Sequence, residues 1–378
     1  YKIEGKILWL LSESIAETRT EGMDIFGGTY ITASKIKNIY GVINKELDNQ
    51  GLFDRKGKTI WGLKRVRAME VSVTDKSGNT VTYTGTVTIG SDIFGAHYVT
   101  TVKSRYEIVA NRAIAIQTES TTTGEDSFGG KYTTVTTTKY EYNFVTIRNK
   151  RHYLMTRSES YSVTNGEDFF GAKYITASNI EYIYGLINDR LSSGQEEGVK
   201  YQGRRPVWSL KEVKNKAVTI TNPWTGETLT FTGSITIGKD MFGSLYTTTS
   251  VSTWRVWGNR AFTESTIAVT TGSDKSGLGS TYTTTTTTTY EYGIETINGR
   301  KAYVMKAYIN ESITTGTDTF DNDYVSASKT RYVFGTSTDN MTKDEIGKAN
   351  GRQVWHMISV EEMEVSVTMD LDGNPATT

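Results

Sequence analysis

A tryptophan segment that recurs along the chain constrains its fold more than any other feature. The strings KTIWGLKRVRAMEVSV, RPVWSLKEVKNKAVTI and RQVWHMISVEEMEVSV place Trp61, Trp208 and Trp355 at separations of 147 residues. Self-similarity at a fixed period indicates a chain built from repeated structural units. The sequence therefore predicts about two and a half copies of one unit, with the three tryptophans marking the core of each copy.

The period divides the 378 residues into three segments. We expect two full β repeats and one partial β repeat, at 1–147, 148–297 and 298–378. Another phase of the same period gives a half-module followed by two modules, at 1–78, 79–221 and 222–378. Two explanations stay open for a unit that stops inside a repeat. Either the sequence is an excerpt of a longer protein, or the surplus half pairs head to tail with a neighbouring copy through open strand edges.

A shorter motif, Gly-x-Asp-x-Phe-Gly-x-x-Tyr, occurs seven times within the long repeats. One copy, at Asp274, carries a two-residue insertion and has Leu278 in place of phenylalanine. A motif that recurs in every repeat indicates a shared structural role. Six copies keep the aspartate, phenylalanine and tyrosine at fixed offsets, and these residues form the predicted structural loop motif: Asp24, Phe26, Tyr30, Asp92, Phe94, Tyr98, Asp126, Phe128, Tyr132, Asp168, Phe170, Tyr174, Asp240, Phe242, Tyr246, Asp318, Phe320 and Tyr324.

The residues that follow each motif tyrosine alternate with a period of two. From Tyr132 to Tyr142 one face consists of threonine bracketed by tyrosine, and the segment from Tyr282 to Tyr292 repeats this pattern. Alternating β-branched and aromatic residues are typical of strands. An aromatic residue lies eight positions after the motif tyrosine in six of the seven copies. Strands that hold both aromatics span at least nine residues, roughly 30 Å.

The motif joins two such strands, so we interpret it as a hairpin loop. Glycine supplies positive φ, aspartate accepts hydrogen bonds from the N–H groups just ahead of it, and phenylalanine is expected to plug the hairpin end. At the opposite end the sequence predicts tight turns, for which Asn-Gly is the strongest two-residue signal. These turns are Asn111-Arg112, Asn149-Lys150, Gly258-Asn259 and Asn298-Gly299.

One connection in each repeat breaks the meander. After Gly41, Gly185 and Gly335 come about 20 polar residues with helical spacing, including a capping-box pattern that starts at Thr342. A short helix there is expected to carry the chain back across the sheet. The predicted fold is all-β, with tandem repeats of long antiparallel meander strands that form sandwich-like modules and one helical crossover per repeat.

Composition removes most enzyme chemistry. The chain has no cysteine and 3 histidines, and none of the histidine positions recurs in the other repeats. Thiol nucleophiles, disulfides and thiolate metal sites are therefore excluded. Ser34 and Lys37 fit a Ser-x-x-Lys nucleophile pair, but the other repeats place Glu181 and Arg331 at the lysine position. We predict no enzyme activity, no catalytic residue and no cofactor.

Net charge argues against two classes of partner. The chain has 42 Lys+Arg and 42 Asp+Glu, so neither nucleic acid nor an anionic membrane gains a sequence-independent electrostatic attraction. No apolar run approaches the roughly 18 residues of a membrane span, and we expect no membrane insertion. The repeated aspartate is the best ligand candidate for a cation. We interpret it as holding its own loop, with a weak calcium site as the alternative, and assign no metal.

Threonine rows and aromatic residues suggest two binding functions. The Thr-x-Thr array from Thr283 to Thr289 resembles an ice-binding surface in outline, although threonine lies on both faces. Aromatic residues beside polar strands are able to stack on sugar rings. Trp224, Trp254 and Trp257 are expected to cluster at one loop end as a glycan site.

These observations favour a non-enzymatic structural protein, located at the cell surface or outside the cell. Repetition without a repeated catalytic set indicates a mechanical or surface role, and long Thr/Tyr strands provide a dense hydrogen-bond ladder. We predict a subunit of a fibre, sheath or surface layer that self-assembles through β-strand edges, so its main partners are copies of itself. The alternative is a cell-surface adhesin that binds surface glycans through aromatic residues.

Overall fold

The computed structural model describes residues 2–3, 6–23, 28–43, 60–75, 77–92, 95–109, 111–147, 149–187, 207–273, 280–318, 320, 322–336, 355–365, 367–369 and 375–377. These residues form 25 β-strands and no helix. Accordingly, no helix in the described ranges has the length and apolar character to cross a membrane. The segments predicted to hold the helical crossovers, 44–59, 188–206 and 337–354, lie outside the described residues.

The strands are numbered in chain order. Up to residue 147 they are β1 (Lys2–Ile3), β2 (Lys6–Ile7), β3 (Glu13–Met23), β4 (Thr29–Ile43), β5 (Ile60–Ala68), β6 (Glu70–Thr74), β7 (Thr80–Thr84), β8 (Thr86–Ser91), β9 (His97–Val109), β10 (Arg112–Glu125) and β11 (Lys131–Ile147). From residue 148 to residue 297 they are β12 (Lys150–Glu167), β13 (Lys173–Ile187), β14 (Val207–Asn215), β15 (Ala217–Thr221), β16 (Thr228–Thr232), β17 (Ser234–Lys239), β18 (Leu245–Trp257), β19 (Arg260–Ser273) and β20 (Thr281–Ile297). The remaining strands are β21 (Arg300–Thr317), β22 (Asp323–Gly335), β23 (His356–Glu362), β24 (Val367–Met369) and β25 (Pro375–Thr377).

Seventeen strands form one large antiparallel sheet. β4 pairs with β5 through residues 36–43 and with β8 through residues 29–34, so two short strands share one edge of a long one. β13 is shared in the same way by β14, at residues 180–187, and β17, at residues 173–178. Elsewhere each strand pairs with the next in a meander. Within the described residues, register pairs join β3 only to β4 and β23 only to β22.

The long meander strands predicted from the alternation are confirmed. β12 and β21 each contain 18 residues, which corresponds to roughly 60 Å at about 3.3 Å per residue. A pleated strand turns successive side chains to opposite faces of the sheet. Cross-strand register therefore assigns each residue of these strands to a face.

Two hairpins leave the sheet and fold onto one of its faces. In β6, Val71 and Val73 alternate with exposed residues and pack against Ala33 and Val87 of the sheet. The second hairpin, β15–β16, buries its apolar side chains in the same way, and the core there contains Ala177, Val218, Ile220, Ile235 and Ile237. Each fully buried valine or isoleucine contributes about 1.5–3 kcal/mol. A second layer therefore covers the sheet at these two places. The structure agrees in part with the predicted sandwich-like modules, because seventeen of the strands belong to one large sheet.

The tight turns at the other end match the prediction in two cases and differ by one residue in two. Gly258-Asn259 and Asn298-Gly299 have positive φ at both residues, as a type I′ turn requires. The register instead pairs Val109 with Arg112 and Ile147 with Lys150, so Arg112 and Lys150, which the sequence predicts as turn residues, are the first residues of β10 and β12. Asparagine supplies the left-handed residue at both turns, as Asn111 and Asn149, with φ of 63° and 61°.

Candidate functional site

The loop aspartates hold their own loops. The Oδ1 atom of Asp126 accepts hydrogen bonds from the backbone N–H groups of Phe128 and Gly130, both at 2.9 Å. The same pair of bonds recurs at three other loops, where Asp168 accepts from Phe170 and Ala172, Asp240 accepts from Phe242 and Ser244, and Asp318 accepts from Phe320 and Asn322. In the partly described loop, Asp92 accepts from Ala96.

This geometry accounts for the motif aspartate without a metal. Donation from the Asn322 backbone N–H, and then from its side chain, lowers the pKa of Asp318 below 3.8. A carboxylate that accepts two N–H groups on one oxygen stabilises the reversal directly. The hydrogen bonds therefore support the loop-holding interpretation over the calcium alternative. Asp24 lies outside the described residues.

Phenylalanine at the loop tips is exposed, so the prediction that it plugs the hairpin end is wrong. Phe128, Phe170, Phe242 and Phe320 are 79, 68, 83 and 83% exposed. In the two cores that the covering hairpins form, the sheet contributes strand residues such as Ile31 and Ile175. Because the loops follow every second strand, the phenylalanines project from one end of the sheet. Phe26 and Phe94 lie outside the described residues.

The motif tyrosine has a contact that explains the first motif glycine. In each hairpin the tyrosine pairs with that glycine, and its ring occupies the space of a glycine β-carbon. A β-carbon added to Gly22, for example, would lie 2.6 Å from Cζ of Tyr30. Register links these pairs into one line across the sheet, here called the Tyr–Gly row: Gly22, Tyr30, Gly90, Tyr98, Gly124, Tyr132, Gly166, Tyr174, Gly238, Tyr246, Gly272, Tyr282, Gly316 and Tyr324. The seventh, irregular motif keeps this pair although it loses the phenylalanine.

A threonine row lies two residues farther along each of the fourteen strands that carry the Tyr–Gly row. It consists of Thr20, Thr32, Thr88, Thr100, Thr122, Thr134, Thr164, Thr176, Thr236, Thr248, Thr270, Thr284, Thr314 and Ser326. Alternate neighbours bond hydroxyl to hydroxyl, at 2.8 Å between Thr176 and Thr236 and 2.9 Å between Thr100 and Thr122. Cross-strand threonine pairs of this kind stabilise a sheet by about 0.2–1 kcal/mol each.

A third row, again two residues farther, is also uncharged. It consists of Thr18, Ser34, Thr86, Val102, Ser120, Thr136, Ser162, Ser178, Ser234, Ser250, Ala268, Thr286, Ser312 and Ser328. The three rows together are called the hydroxyl face. Their 42 positions contain no Asp, Glu, Lys, Arg or His, as the three preceding lists show.

The opposite face, called the charged face, carries the ion pairs. Lys35 contacts Glu17 at 2.8 Å, and Lys329 contacts Glu311 at 3.2 Å. Both covering hairpins also pack on this face, since Ala33 and Ala177 alternate with the hydroxyl rows. Ser34 bonds Thr18 on the hydroxyl face, whereas Lys37 bonds Glu13 on the charged face. The residues of the Ser-x-x-Lys motif therefore point away from each other.

A second group of aromatic residues borders the hydroxyl face near the tight turns. Tyr308 stacks on Tyr332 with ring centroids 4.4 Å apart, and Tyr290 lies 6.0 Å from Tyr308. Burial, followed by the neighbouring Tyr332, raises the pKa of Tyr308. Burial likewise raises the pKa of Tyr246 in the Tyr–Gly row. The phenols of Tyr246 and Tyr308 therefore stay neutral at physiological pH.

The three tryptophans expected to form a glycan site do not cluster. Trp224 packs against the core beneath β15–β16. Trp257 stacks on Tyr303 with ring centroids 4.4 Å apart, beside the tight turns. Trp254 lines a groove of about 730 Å³ between β14 and β18, together with charged residues such as Lys214 and Arg255. The prediction of one tryptophan cluster is wrong, because the covering hairpin takes Trp224 into its own core.

The tryptophans that mark the long period share one contact. Each indole N–H donates to a backbone carbonyl at 2.9 Å: Trp61 to Leu11, Trp208 to Met155 and Trp355 to Met305. Trp355 is buried beside Ile297 and Val304, whereas Trp61 and Trp208 are half-buried. Their common role is to fix the start of a short strand against a long one.

No protein-family model matches the chain, and no curated protein matches its sequence.

Proposed function

We propose that the chain is a non-enzymatic structural protein of the cell exterior, a subunit of a fibre, sheath or surface layer. The observation that carries this proposal is the threonine row, which crosses fourteen strand positions without a change of register. A sheet of this width with one hydroxylated face is an extended building element. Its described residues include no group of three or more side chains suited to hold a metal ion.

The tandem-repeat organisation is part of the proposal. The segments 1–147, 148–297 and 298–378 contribute successive strands to the same rows, so the repeats merge into one sheet. The recurring Trp61, Trp208 and Trp355 contacts support the same unit in each segment. Repeats that contact only their neighbours add stability approximately unit by unit, which suits an element of variable length.

Self-assembly is proposed to proceed through strand edges. On β3, Ile15 is 57% exposed, and on β23, Met357 is 46% exposed. Neither strand has a second partner within the described residues, and strand addition at such edges is an established mode of association. The partner is a second copy of this chain.

Sedimentation velocity over a concentration series tests the assembly. Ile15→Lys and Met357→Lys are expected to shift the 378-residue chain towards monomer. The matched control is Ile267→Lys, which places the same charge at a residue that is 50% exposed but central in the sheet. Wild-type protein that stays monomeric at high concentration, or edge variants that assemble like wild type, would overturn edge-mediated assembly.

A second candidate function is a cell-surface adhesin that binds glycans. The observation that favours it is the uncharged hydroxyl face with aromatic residues along both borders, at Tyr246 and at Tyr308 for example. An array of short soluble glycans tests it. Reproducible binding would support an adhesin, and its absence for all glycans would remove this candidate.

A further inference from the structure

We propose that the hydroxyl face binds an extended, uncharged polysaccharide whose chain runs across the strands along the Tyr–Gly row. This inference rests on the second candidate function and names its ligand class and its site. It is independent of assembly through strand edges.

The tyrosines present a repeated flat surface. The Cζ and hydroxyl end of each ring lies over a glycine of the neighbouring strand, so the rings repeat in one arrangement along the row. The tyrosines are half-buried, and Tyr324 is 40% exposed. Aromatic faces carry negative electrostatic potential, to which the C–H groups of a pyranose ring are attracted. A row of ring faces is therefore suited to stack sugar rings.

The spacing of the rings fits a periodic polymer. Tyrosine occupies every second strand of the row, so adjacent rings are about 9.6 Å apart along it. That distance is comparable to the length of a disaccharide unit in an extended chain. Contacts that repeat along a linear polymer raise its affinity well above that of one sugar, because later contacts form within the same complex.

The flanking rows supply polar contacts without charge. Threonine and serine hydroxyls keep acceptor lone pairs after they bond one another, as Thr248 and Thr270 do at 2.8 Å. Sugar hydroxyls are able to donate to these oxygens. Because the three rows carry no charged side chain, an anionic polymer gains no attraction there. The chemistry therefore favours an uncharged polysaccharide over nucleic acid or an acidic glycan.

Binding to insoluble polysaccharides provides the test. The probes are microcrystalline cellulose, chitin and mannan, with heparin-agarose as the charged comparison. Wild-type protein is expected to bind at least one uncharged polymer in a salt-insensitive manner and to pass through heparin-agarose. Wild-type protein that binds none of the three uncharged polymers, or that binds heparin more tightly than any of them, would overturn the inference without any variant being needed.

Variants locate the site. The triple change Tyr132→Leu, Tyr174→Leu and Tyr246→Leu removes three ring faces, and at least a tenfold loss of affinity is expected. Phenylalanine at the same positions keeps the ring faces and is expected to keep binding. The matched control is Tyr161→Leu, a tyrosine on the charged face that is 38% exposed. Circular dichroism and Tm establish that each variant is folded.

Four outcomes count against the inference. Unchanged affinity of a folded triple-leucine variant would overturn it, as would an equal loss in Tyr161→Leu. Short glycans that bind the array and are unaffected by the tyrosine changes would leave the adhesin candidate standing and overturn this site. Thermal hysteresis in water, lost in the same variants and without polysaccharide binding, would assign the face to ice instead.

Discussion

The phenol ring of Tyr174 lies over Gly166 on the neighbouring strand, in the space that a β-carbon at Gly166 would occupy. The same relationship holds in all seven hairpins and gives the first glycine and the tyrosine of the motif a common purpose. Glycine weakens a strand interior, and a cross-strand aromatic that covers it restores packing. The pair also fixes the register of each hairpin.

Gly166→Ala is expected to destabilise the protein by about 1–3 kcal/mol, because the ring must leave its position. Gly185→Ala is the matched control: it is also a strand glycine, but its added β-carbon would lie 3.4 Å from the flexible side chain of Lys211. That change is expected to be neutral or slightly stabilising, by up to about 1 kcal/mol. Chemical denaturation measures both, and equal losses would contradict the proposed role of Tyr174.

The loop tips are expected to tolerate polar substitution. Phe128→Ser and Phe242→Ser should change stability by no more than about 0.5 kcal/mol, because both rings are largely exposed. Ile235→Ala, in a fully buried position beneath the covering hairpin, should cost about 2–5 kcal/mol in the same assay. A loss at the tips that approached the Ile235 value would show that the rings pack in solution.

Sequence reasoning reached the strands and the loop aspartate but not the Tyr–Gly row or the exposed phenylalanines. Period-two alternation determines which residues share a face of the sheet. An aspartate that directly precedes a chain reversal has the N–H groups of its own loop as its nearest hydrogen-bond donors, so its role is readable from its position. The glycine and tyrosine stand eight residues apart on opposite sides of six of the seven loops, as Gly166 and Tyr174 do, and this recurring offset is the sequence signal of their pairing. The apolar chemistry of phenylalanine predicts packing, whereas the rings at the described loop tips are largely exposed.

The charged face contains a pair whose polarity is reversed elsewhere in the sheet. Arg157 contacts Glu181, and these two residues flank the Asp168 loop motif. Glu13 and Lys37 stand at the same offsets on either side of the Asp24 loop motif, and they also form an ion pair. Glu181 is 9% exposed, so removal of Arg157 leaves a buried carboxylate without this partner. Arg157→Ala is expected to cost about 3–5 kcal/mol. The double change Arg157→Glu with Glu181→Lys should recover most of that loss in a double-mutant cycle, and additive losses would refute the pairing.

Acid is expected to remove the stabilisation that Asp318 provides. Its folded-state pKa is lowered by N–H donation from Asn322, so its contribution is complete above the ordinary value of 3.8 and is lost as pH falls through the lower, folded-state pKa. The Tm difference between wild type and Asp318→Ala should therefore be constant at neutral pH and shrink below about pH 4. A difference that persists unchanged at lower pH would contradict the carboxylate's role as acceptor.

Negative-stain electron microscopy of the purified 378-residue chain tests the central claim most directly. The account, in which one wide sheet with a hydroxylated face is a building element, predicts fibres or layers that disappear in Ile15→Lys and persist in Ile267→Lys. Monodisperse particles of single-chain size at every concentration would contradict it.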